Sequence, residues 1–230
     1  DENGFERKRN FMIQISNLSK KYGETVVFSD LNYTFENACI YGLVGRNGAG
    51  KTTLLNILSN YDKNYTGVIS IDRKKMNKVD YLDMPVAYAM DQPSFFNELT
   101  IYENLLLIAS SRKIKKQEAF DKIERILDGL GLKKYENYSP LELSKGTMQR
   151  LNNACAMIQE EKITIFDEPF SGLDPVQMKL LENVIVEFHK KEKGIYIISS
   201  HDIECLQNVC DKCLLLHNGQ IREINMEEVD

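Results

Sequence analysis

The chain has 230 residues, 43% of them hydrophobic, which is enough to bury one sizeable core. Its formal net charge is −5 and its basic residues form no block, so nucleic acid is not an expected partner. No apolar run approaches the roughly 20 residues that a membrane-spanning helix requires, and no stretch resembles a signal peptide. We interpret the polar residues 1–10 as disordered or as a tag remnant, and residues 11–230 as a single domain.

The first half of the chain predicts strands followed by a helix-rich stretch. Polar and apolar residues alternate near "MIQIS" and "LNYTF", which indicates strands with one exposed face. The apolar run "CIYGLV" predicts a buried strand, and a glycine-rich turn and the helix "KTTLLNILSN" follow it. From about 97 to 158 the sequence favours helices, in "TIYENLLLIASS", "KKQEAFDKIERILDGLG" and "TMQRLNNACAMIQ".

The second half predicts a crossover unit of an α/β domain. The runs "ITIF" and "IYIIS" are typical of a buried parallel sheet, and the helix "PVQMKLLENVIVEFHKK" lies between them. Asp174 is the predicted N-cap of this helix, with Pro175 at its first position. Strand, helix and strand in this order build a parallel pair, so we expect the helix-rich stretch to be an insertion into an α/β core.

The five cysteines are an odd number, which favours reduced thiols in the cytoplasm. Cys205, Cys210, Cys213 and His217 have a metal-like spacing. However, "SSHDIECLQNVCDK" is predicted to be helical and "CLLLHNGQI" to be a strand with a turn, so the four side chains would point in different directions. A zinc site requires four converging ligands, and we do not expect one here.

The segment "GRNGAGKTT" follows the predicted buried strand and opens a helix, the arrangement of a phosphate-binding loop. Its glycines allow successive backbone N–H groups to face one anion, and the helix N-terminus adds its positive dipole end. We expect Lys51 to reach the β- and γ-phosphates, Thr52 to place its hydroxyl on Mg²⁺ and Thr53 to approach the α-phosphate. The predicted nucleotide-binding set is Gly45, Asn47, Gly48, Ala49, Gly50, Lys51, Thr52 and Thr53.

Two further strands end in polar residues that we expect at the same sheet edge. In "ITIFDEPFSGLDP", Asp167 and Glu168 follow the strand, where open α/β sheets bind ligands. Asp167 is placed to hold Mg²⁺, and Glu168 to take a proton from the attacking water. His201 ends "IYIISS" and would hydrogen-bond the γ-phosphate and orient the water, whereas His189 and His217 are interpreted as ordinary structural residues.

The segment "LELSKGTMQRL" places Ser144 and Gly146 before a predicted helix. Helix N-termini bind anions, so this is a second candidate phosphate site. The loop at Lys51 already provides a phosphate site for one nucleotide, so the sequence around Ser144 would be an additional site.

In this order the motifs resemble those of ATP-binding subunits of ABC transporters, over about residues 11–224. "GRNGAGKTT" resembles Walker A, "LSKGT" the ABC signature, "ITIFDE" Walker B, "SGLD" with Asp174 the D-loop, and His201 the switch histidine. Tyr22 in "SKKYGE" matches the aromatic residue that stacks on adenine. The resemblance implies an α/β fold: a P-loop NTPase core with a mainly parallel sheet, an N-terminal antiparallel β subdomain and a helical subdomain inserted at about 93–158.

The resemblance also implies the cofactors and partners. ATP and Mg²⁺ would be bound, and two such subunits would pack head to tail so that each signature closes on the other's ATP. Ser144 would then serve a nucleotide held by another chain. Transport would need separate transmembrane permease subunits, with this chain cytoplasmic and peripheral on the inner face of the membrane.

The sequence departs from the family pattern at two places. The signature has Lys145 and Thr147 where the best-known form has Gly and Gln, while Ser144 and Gly146 are kept. Alignment of "VAYAMDQPSFFNELTIYENL" puts Asp91 at the family's Q-loop glutamine, with Gln92 one residue later. Either could offer an oxygen near Mg²⁺ and the water.

The compact insertion and "PSFFNELTIYENL" resemble bacterial drug and peptide-antibiotic exporters. Two alternatives stay open: a soluble ABC-type ATPase of iron–sulfur assembly or translation, and a nucleotide-gated module that does not hydrolyse ATP. The presence of both Glu168 and His201 argues against the second alternative.

Overall fold

The computed structural model describes residues 11–79 and 83–225, so the expectation for residues 1–10 lies outside it. In these residues the strands are β1 (Met12–Tyr22), β2 (Thr25–Glu36), β3 (Cys39–Val44), β4 (Thr66–Ile71), β5 (Lys74–Lys75), β6 (Val86–Ala89), β7 (Ile163–Phe166), β8 (Ile195–Ser200), β9 (Lys212–His217) and β10 (Gln220–Ile224). The α-helices are α1 (Lys51–Leu58), α2 (Ile101–Ser111), α3 (Lys116–Gly129), α4 (Lys145–Met157) and α5 (Pro175–Glu192).

Two sheets organise the molecule. The larger sheet has the order β10-β9-β3-β8-β7-β6 and is parallel from β9 to β6, with β10 antiparallel at one edge. The smaller sheet, in the order β2-β1-β4-β5, is antiparallel throughout. This confirms the predicted α/β class with a mainly parallel core sheet and an antiparallel β portion at the N-terminal end.

The larger sheet separates two hydrophobic cores. Along β3, Ile40 and Val44 face a core shared with α2, α3, α4 and α5, whereas Tyr41 and Leu43 face a core shared with β1, β2, β4 and α1. Successive side chains of a strand point to opposite faces, so a strand that is apolar on both faces must lie between two packed layers. All six residues of β3 and all six of β8 are buried, as their apolar runs predict.

Helices α2 and α5 begin at side-chain caps. Asp174 caps α5 by accepting a hydrogen bond from the Gln177 backbone N–H at 2.9 Å, and Pro175 is the first helical residue. Thr100 and Glu103 form a capping box at the start of α2. Polar side chains at these positions satisfy N–H groups that have no partner within the helix.

The predicted helix in "SSHDIECLQNVCDK" is wrong. This segment contains only one 3-10 turn, Glu204–Leu206, and then continues in turns to β9. Leu206 and Cys210 pack closely over Gly42 of β3: a Cβ at Gly42 would lie 2.9 Å from Leu206 Cδ1 and 3.1 Å from Cys210 Sγ. The apolar spacing that resembles a helix therefore comes from residues that fold over a strand.

All five cysteines are free thiols. Across residues 11–79 and 83–225, no three His, Cys, Asp or Glu side chains are grouped so that they could hold a metal ion. Within the same ranges, no helix is both long enough and apolar enough to cross a bilayer.

Candidate nucleotide site

The carboxyl ends of four parallel strands meet at one edge of the larger sheet. The chain leaves β3 at Val44, β6 at Ala89, β7 at Phe166 and β8 at Ser200, and the loops that follow surround a cleft of about 530 Å³. The described residues that line it are Tyr22, Thr25, Val27, Arg46, Asn47, Gly48, Gly50, Lys51, Thr52, Thr53, Asp91, Glu168, Ser171 and His201. The structure thus brings most of the predicted site residues together.

The loop between β3 and α1 is shaped for an anion. Gly50 is the N-cap of α1 with a left-handed φ of 100°, and a Cβ there would lie 2.7 Å from Val27 Cγ1. No side chain caps this helix, and its first turn carries no acidic residue. The first N–H groups of α1 are therefore free to bind a ligand in the cleft, where the helix dipole favours negative charge.

Lys51 brings a buried positive charge to the loop. Its side chain is buried, and Nζ donates a hydrogen bond to the Gly45 carbonyl oxygen at 2.8 Å. The Glu168 carboxylate oxygen Oε1 lies 3.5 Å from the same Nζ. A buried ammonium beside uncapped N–H groups fits the phosphates of a nucleotide.

Asp167 is fully buried at the end of β7. Burial raises the pKa of its carboxyl above the ordinary value, and hydrogen bonds from the Ser199 and Thr52 hydroxyls act in the opposite direction. The hydroxyl of Tyr88 lies 3.5 Å from Asp167 Oδ2 and donates to Asn56 Oδ1 at 3.0 Å. Mg²⁺ commonly takes one or two protein oxygens beside the substrate's phosphates, so the contact between Thr52 and Asp167 fits this ion.

Glu168 connects three parts of the site. It has a left-handed backbone, with φ of 50°, and its carboxylate oxygen Oε2 lies 2.9 Å from His201 Nδ1. The other oxygen faces Lys51. A carboxylate and an imidazole in contact at the cleft can hold and move a proton there.

The signature segment lies outside the described cleft lining. Ser144 is the N-cap of α4, and its Oγ accepts from the Thr147 backbone N–H at 3.2 Å. The helix begins at Lys145, so Gly146 belongs to its first turn rather than preceding the helix. A Cβ at Gly146 would lie 2.9 Å from the Gly172 carbonyl oxygen, which places the signature directly against the loop that carries Asp174.

The other predicted contacts differ in their placement. Tyr22 is 52% exposed and lines the cleft, and its hydroxyl donates to Asp62 Oδ2 at 3.1 Å. Asp91 and Gln92 are both exposed, and of the two only Asp91 is among the described residues that line the cleft, which favours Asp91 for the Q-loop contact. Gly45 and Ala49 shape the loop from outside the lining; Ala49 N–H donates to the Arg46 carbonyl oxygen at 3.0 Å.

Sequence reasoning missed several residues of the site. Arg46, Val27, Thr25 and Ser171 line the cleft, and Ser199 and Tyr88 contact Asp167 from below it. Arg46 lies inside the recognised motif and could have been found there. Ser199 and Tyr88 gave no signal, because a hydroxyl in a short and mostly apolar strand resembles any buried polar residue.

Comparison with known proteins agrees with this geometry. The sequence model described as "ABC transporter" matches residues 28–171. An uncharacterized ABC transporter ATP-binding protein of Methanocaldococcus jannaschii is 32% identical over 90% of this chain and 75% of its own length. The bacitracin transport ATP-binding protein BcrA of Enterococcus faecalis is 30% identical over 95% of this chain and 71% of its length. The tungstate uptake system ATP-binding protein TupC of Peptoclostridium acidaminophilum is 30% identical over 92% and 97%.

Solved structures point to the same family as the sequence comparisons. A structure described as the ATP-binding subunit of an ABC transporter superposes with a TM-score of 0.85 and 27% identity, covering 94% of this chain and 91% of that one. The chain therefore belongs to the ABC transporter family, as an ATP-binding subunit. ATP-binding domains of this family are ATPases, and this chain is an ATPase of the same kind.

Proposed function

We propose that this chain powers a membrane transporter by binding and hydrolysing Mg·ATP in a head-to-tail pair of ATP-binding subunits. The position of the signature carries the proposal. Ser144 and Gly146 lie at the N-terminus of α4, where a helix favours anions, but outside the described lining of the cleft around Lys51. A second subunit, identical or different, would bring its own signature onto that cleft.

The proposal assigns roles to several residues in and beside the cleft. Lys51 and the free N–H groups of α1 bind the phosphates, and Tyr22 stacks on the adenine. Thr52, Asp167 and Asp91 hold Mg²⁺, which supplies positive charge to the phosphates when it is bound. Glu168 accepts a proton from the attacking water, and His201, in contact with its carboxylate, orients the γ-phosphate and the water.

The partner in the membrane is a separate permease. The region around the Q-loop and α2 would dock on it from the cytoplasmic side, which places this chain peripherally on the inner face of the membrane. Relatives of similar identity are named for transport of bacitracin, for tungstate uptake and for methionine import. We infer export, on the resemblance of the compact helical insertion and "PSFFNELTIYENL" to drug and peptide-antibiotic exporters.

The central test is ATP-dependent association. Glu168→Gln protein should sediment as a dimer with Mg·ATP and as a monomer with ADP. In this proposal the second signature contacts the γ-phosphate, which ADP lacks. A Ser144→Arg change in the same protein should abolish the dimer, whereas Lys145→Ala should keep it. A monomer under all conditions would contradict the homodimer, and a mixture with a second ATP-binding chain from the same cells would then test the heterodimer.

A second experiment addresses the transport role. Affinity-tagged protein extracted from native membranes in mild detergent should co-purify with a multi-span membrane protein and hydrolyse ATP faster in its presence. Transport into inside-out vesicles, rather than out of them, would establish export. Recovery only with soluble proteins would favour the non-transport ATPase instead.

A further inference from the structure

Ser199 lies on β8, fully buried, and its hydroxyl contacts both acids of the site. Its Oγ accepts a hydrogen bond from the Glu168 backbone N–H at 2.9 Å and donates one to Asp167 Oδ1 at 2.5 Å. Ser199 is not among the described residues that line the cleft.

The directions of these two hydrogen bonds follow from their chemistry. A backbone N–H can only donate, so the Ser199 oxygen must accept from Glu168. The hydroxyl proton is then available for the Asp167 carboxylate, and a bond from O–H to a charged oxygen is among the stronger ones in proteins. One oxygen of Asp167 is therefore occupied by β8, which fixes the rotation of the carboxylate.

The contact to Glu168 has a second effect. A φ of 50° is uncommon for a residue other than Gly, Asn or Asp, and such conformations persist only where surrounding groups hold them. Ser199 holds the N–H of Glu168, and Gln149 Nε2 donates to its carbonyl oxygen at 3.3 Å. The peptide held in this way places the Glu168 carboxylate beside His201 Nδ1.

We propose that Ser199 is a positioning residue, whose single hydroxyl sets both the metal-binding carboxylate of Asp167 and the backbone of the proposed base Glu168. This inference rests on the proposed function of the cleft. It predicts that loss of the hydroxyl impairs the response to Mg²⁺ and the hydrolytic step, and leaves the phosphate loop around Lys51 intact.

The test separates metal use from nucleotide binding. In Ser199→Ala, we expect the Mg²⁺ concentration for half-maximal binding of a non-hydrolysable ATP analogue to rise about 10–100-fold, the usual effect of losing a residue that orients a metal ligand. We expect kcat to fall in the same range, while binding of the analogue in EDTA stays at the wild-type level. A merely structural role would not change the Mg²⁺ requirement of a variant with wild-type thermal stability.

Ser200→Ala is the matched control, because it removes a neighbouring buried hydroxyl that accepts from the Asp202 backbone N–H instead. Its Mg²⁺ requirement should equal that of the wild type. Ser199→Cys fills the same position with a weaker donor and should give an intermediate requirement if the alanine variant fails to fold. A wild-type Mg²⁺ requirement in either Ser199 variant would overturn the inference, whereas wild-type protein without metal-dependent nucleotide binding would overturn the proposed function itself.

Discussion

Lys51 Nζ lies between the Gly45 carbonyl oxygen and the Glu168 carboxylate, and His201 contacts the far side of that carboxylate. Two of the side chains proposed to act on a nucleotide are thus already in contact with a third, Glu168. A phosphate that enters the cleft must compete with Glu168 for the Lys51 ammonium. Single substitutions at these positions can therefore separate the binding of ATP from its hydrolysis.

Lys51→Ala should weaken Mg·ATP binding by at least about 10²-fold, because charge-assisted hydrogen bonds contribute roughly 1.5–3 kcal/mol each and this lysine is placed to make more than one. Equilibrium binding of a fluorescent ATP analogue measures the effect. Lys116→Ala, at an exposed lysine on α3, is the control and should bind normally. Equal affinity of the Lys51 variant and the wild type would reject the phosphate-loop assignment.

Glu168→Gln should keep ATP binding and slow hydrolysis by roughly 10²–10⁴-fold, the usual contribution of a general base. The amide keeps the shape of the side chain and removes the proton acceptor, so unhydrolysed ATP should accumulate on the protein. Phosphate release measures the rate, with Glu187→Gln, at an exposed position of α5, as the matched control. Near wild-type turnover in the Glu168 variant would mean that the base lies elsewhere.

Secondary-structure elements differ in how well the sequence predicts them. β3, β7, β8 and α5 were predicted correctly, because their apolar runs and the Asp174–Pro175 cap are local signals. β6 was not predicted, because its run "VAYA" is less strongly apolar than the equally short "ITIF" of β7. The helix predicted after β8 was wrong, because the apolar residues there pack against Gly42, which is remote in the sequence.

Long-range contacts also explain which side chains could not be predicted. Lys122 on α3 can be buried because the carboxylates of Glu160 and Glu192 lie 2.7 and 3.6 Å from its Nζ. Both acids are remote from Lys122 in the sequence. The candidate site was predictable where one loop holds consecutive functional residues, as from Gly45 to Thr53. It was not predictable at Ser199, whose partners are reached only across the sheet.

Gly146, in the first turn of α4, lies close against the loop before α5. In Gly146→Ala the added Cβ would lie 2.9 Å from the Gly172 carbonyl oxygen and 3.1 Å from Gln177 Oε1, so the loop before α5 must shift. We expect a loss of about 1–3 kcal/mol in the free energy of unfolding, as in other overpacked sites, and weaker ATP-dependent dimers. Urea denaturation and sedimentation measure the two effects. Lys116→Ala, at an exposed lysine on α3, should leave both unchanged. An unaffected Gly146 variant would show that the turn tolerates a side chain.

At the scale of the whole molecule, the signature and the phosphate loop should act in different subunits. Lys51→Ala and Ser144→Arg proteins should each be inactive when assayed alone. In a mixed dimer one composite site carries both lesions and the other carries none, so mixing the inactive proteins should restore part of the ATPase. Single-turnover assays on the mixture measure this recovery.

An arrangement in which each chain completes its own site predicts no recovery, because every chain carries a lesion. Mixed dimers that form with ATP and still hydrolyse none of it would therefore reject the shared site. Each variant alone, at the total protein concentration of the mixture, is the control. If the natural partner is a different ATP-binding chain, this chain carries one of the two changes and the partner carries the counterpart of the other.

The two cores on opposite faces of the larger sheet have a consequence for evolution. Ile40 and Val44 of β3 pack towards the helices, and Tyr41 and Leu43 pack towards α1 and the antiparallel sheet, so each face has its own set of neighbours. Substitutions that share no partners combine nearly additively. Changes that accumulate among α2, α3 and α4 are thus buffered from the packing that supports the phosphate loop. A lineage can remodel its helical face for a new binding partner and inherit the phosphate loop on the other face unaltered.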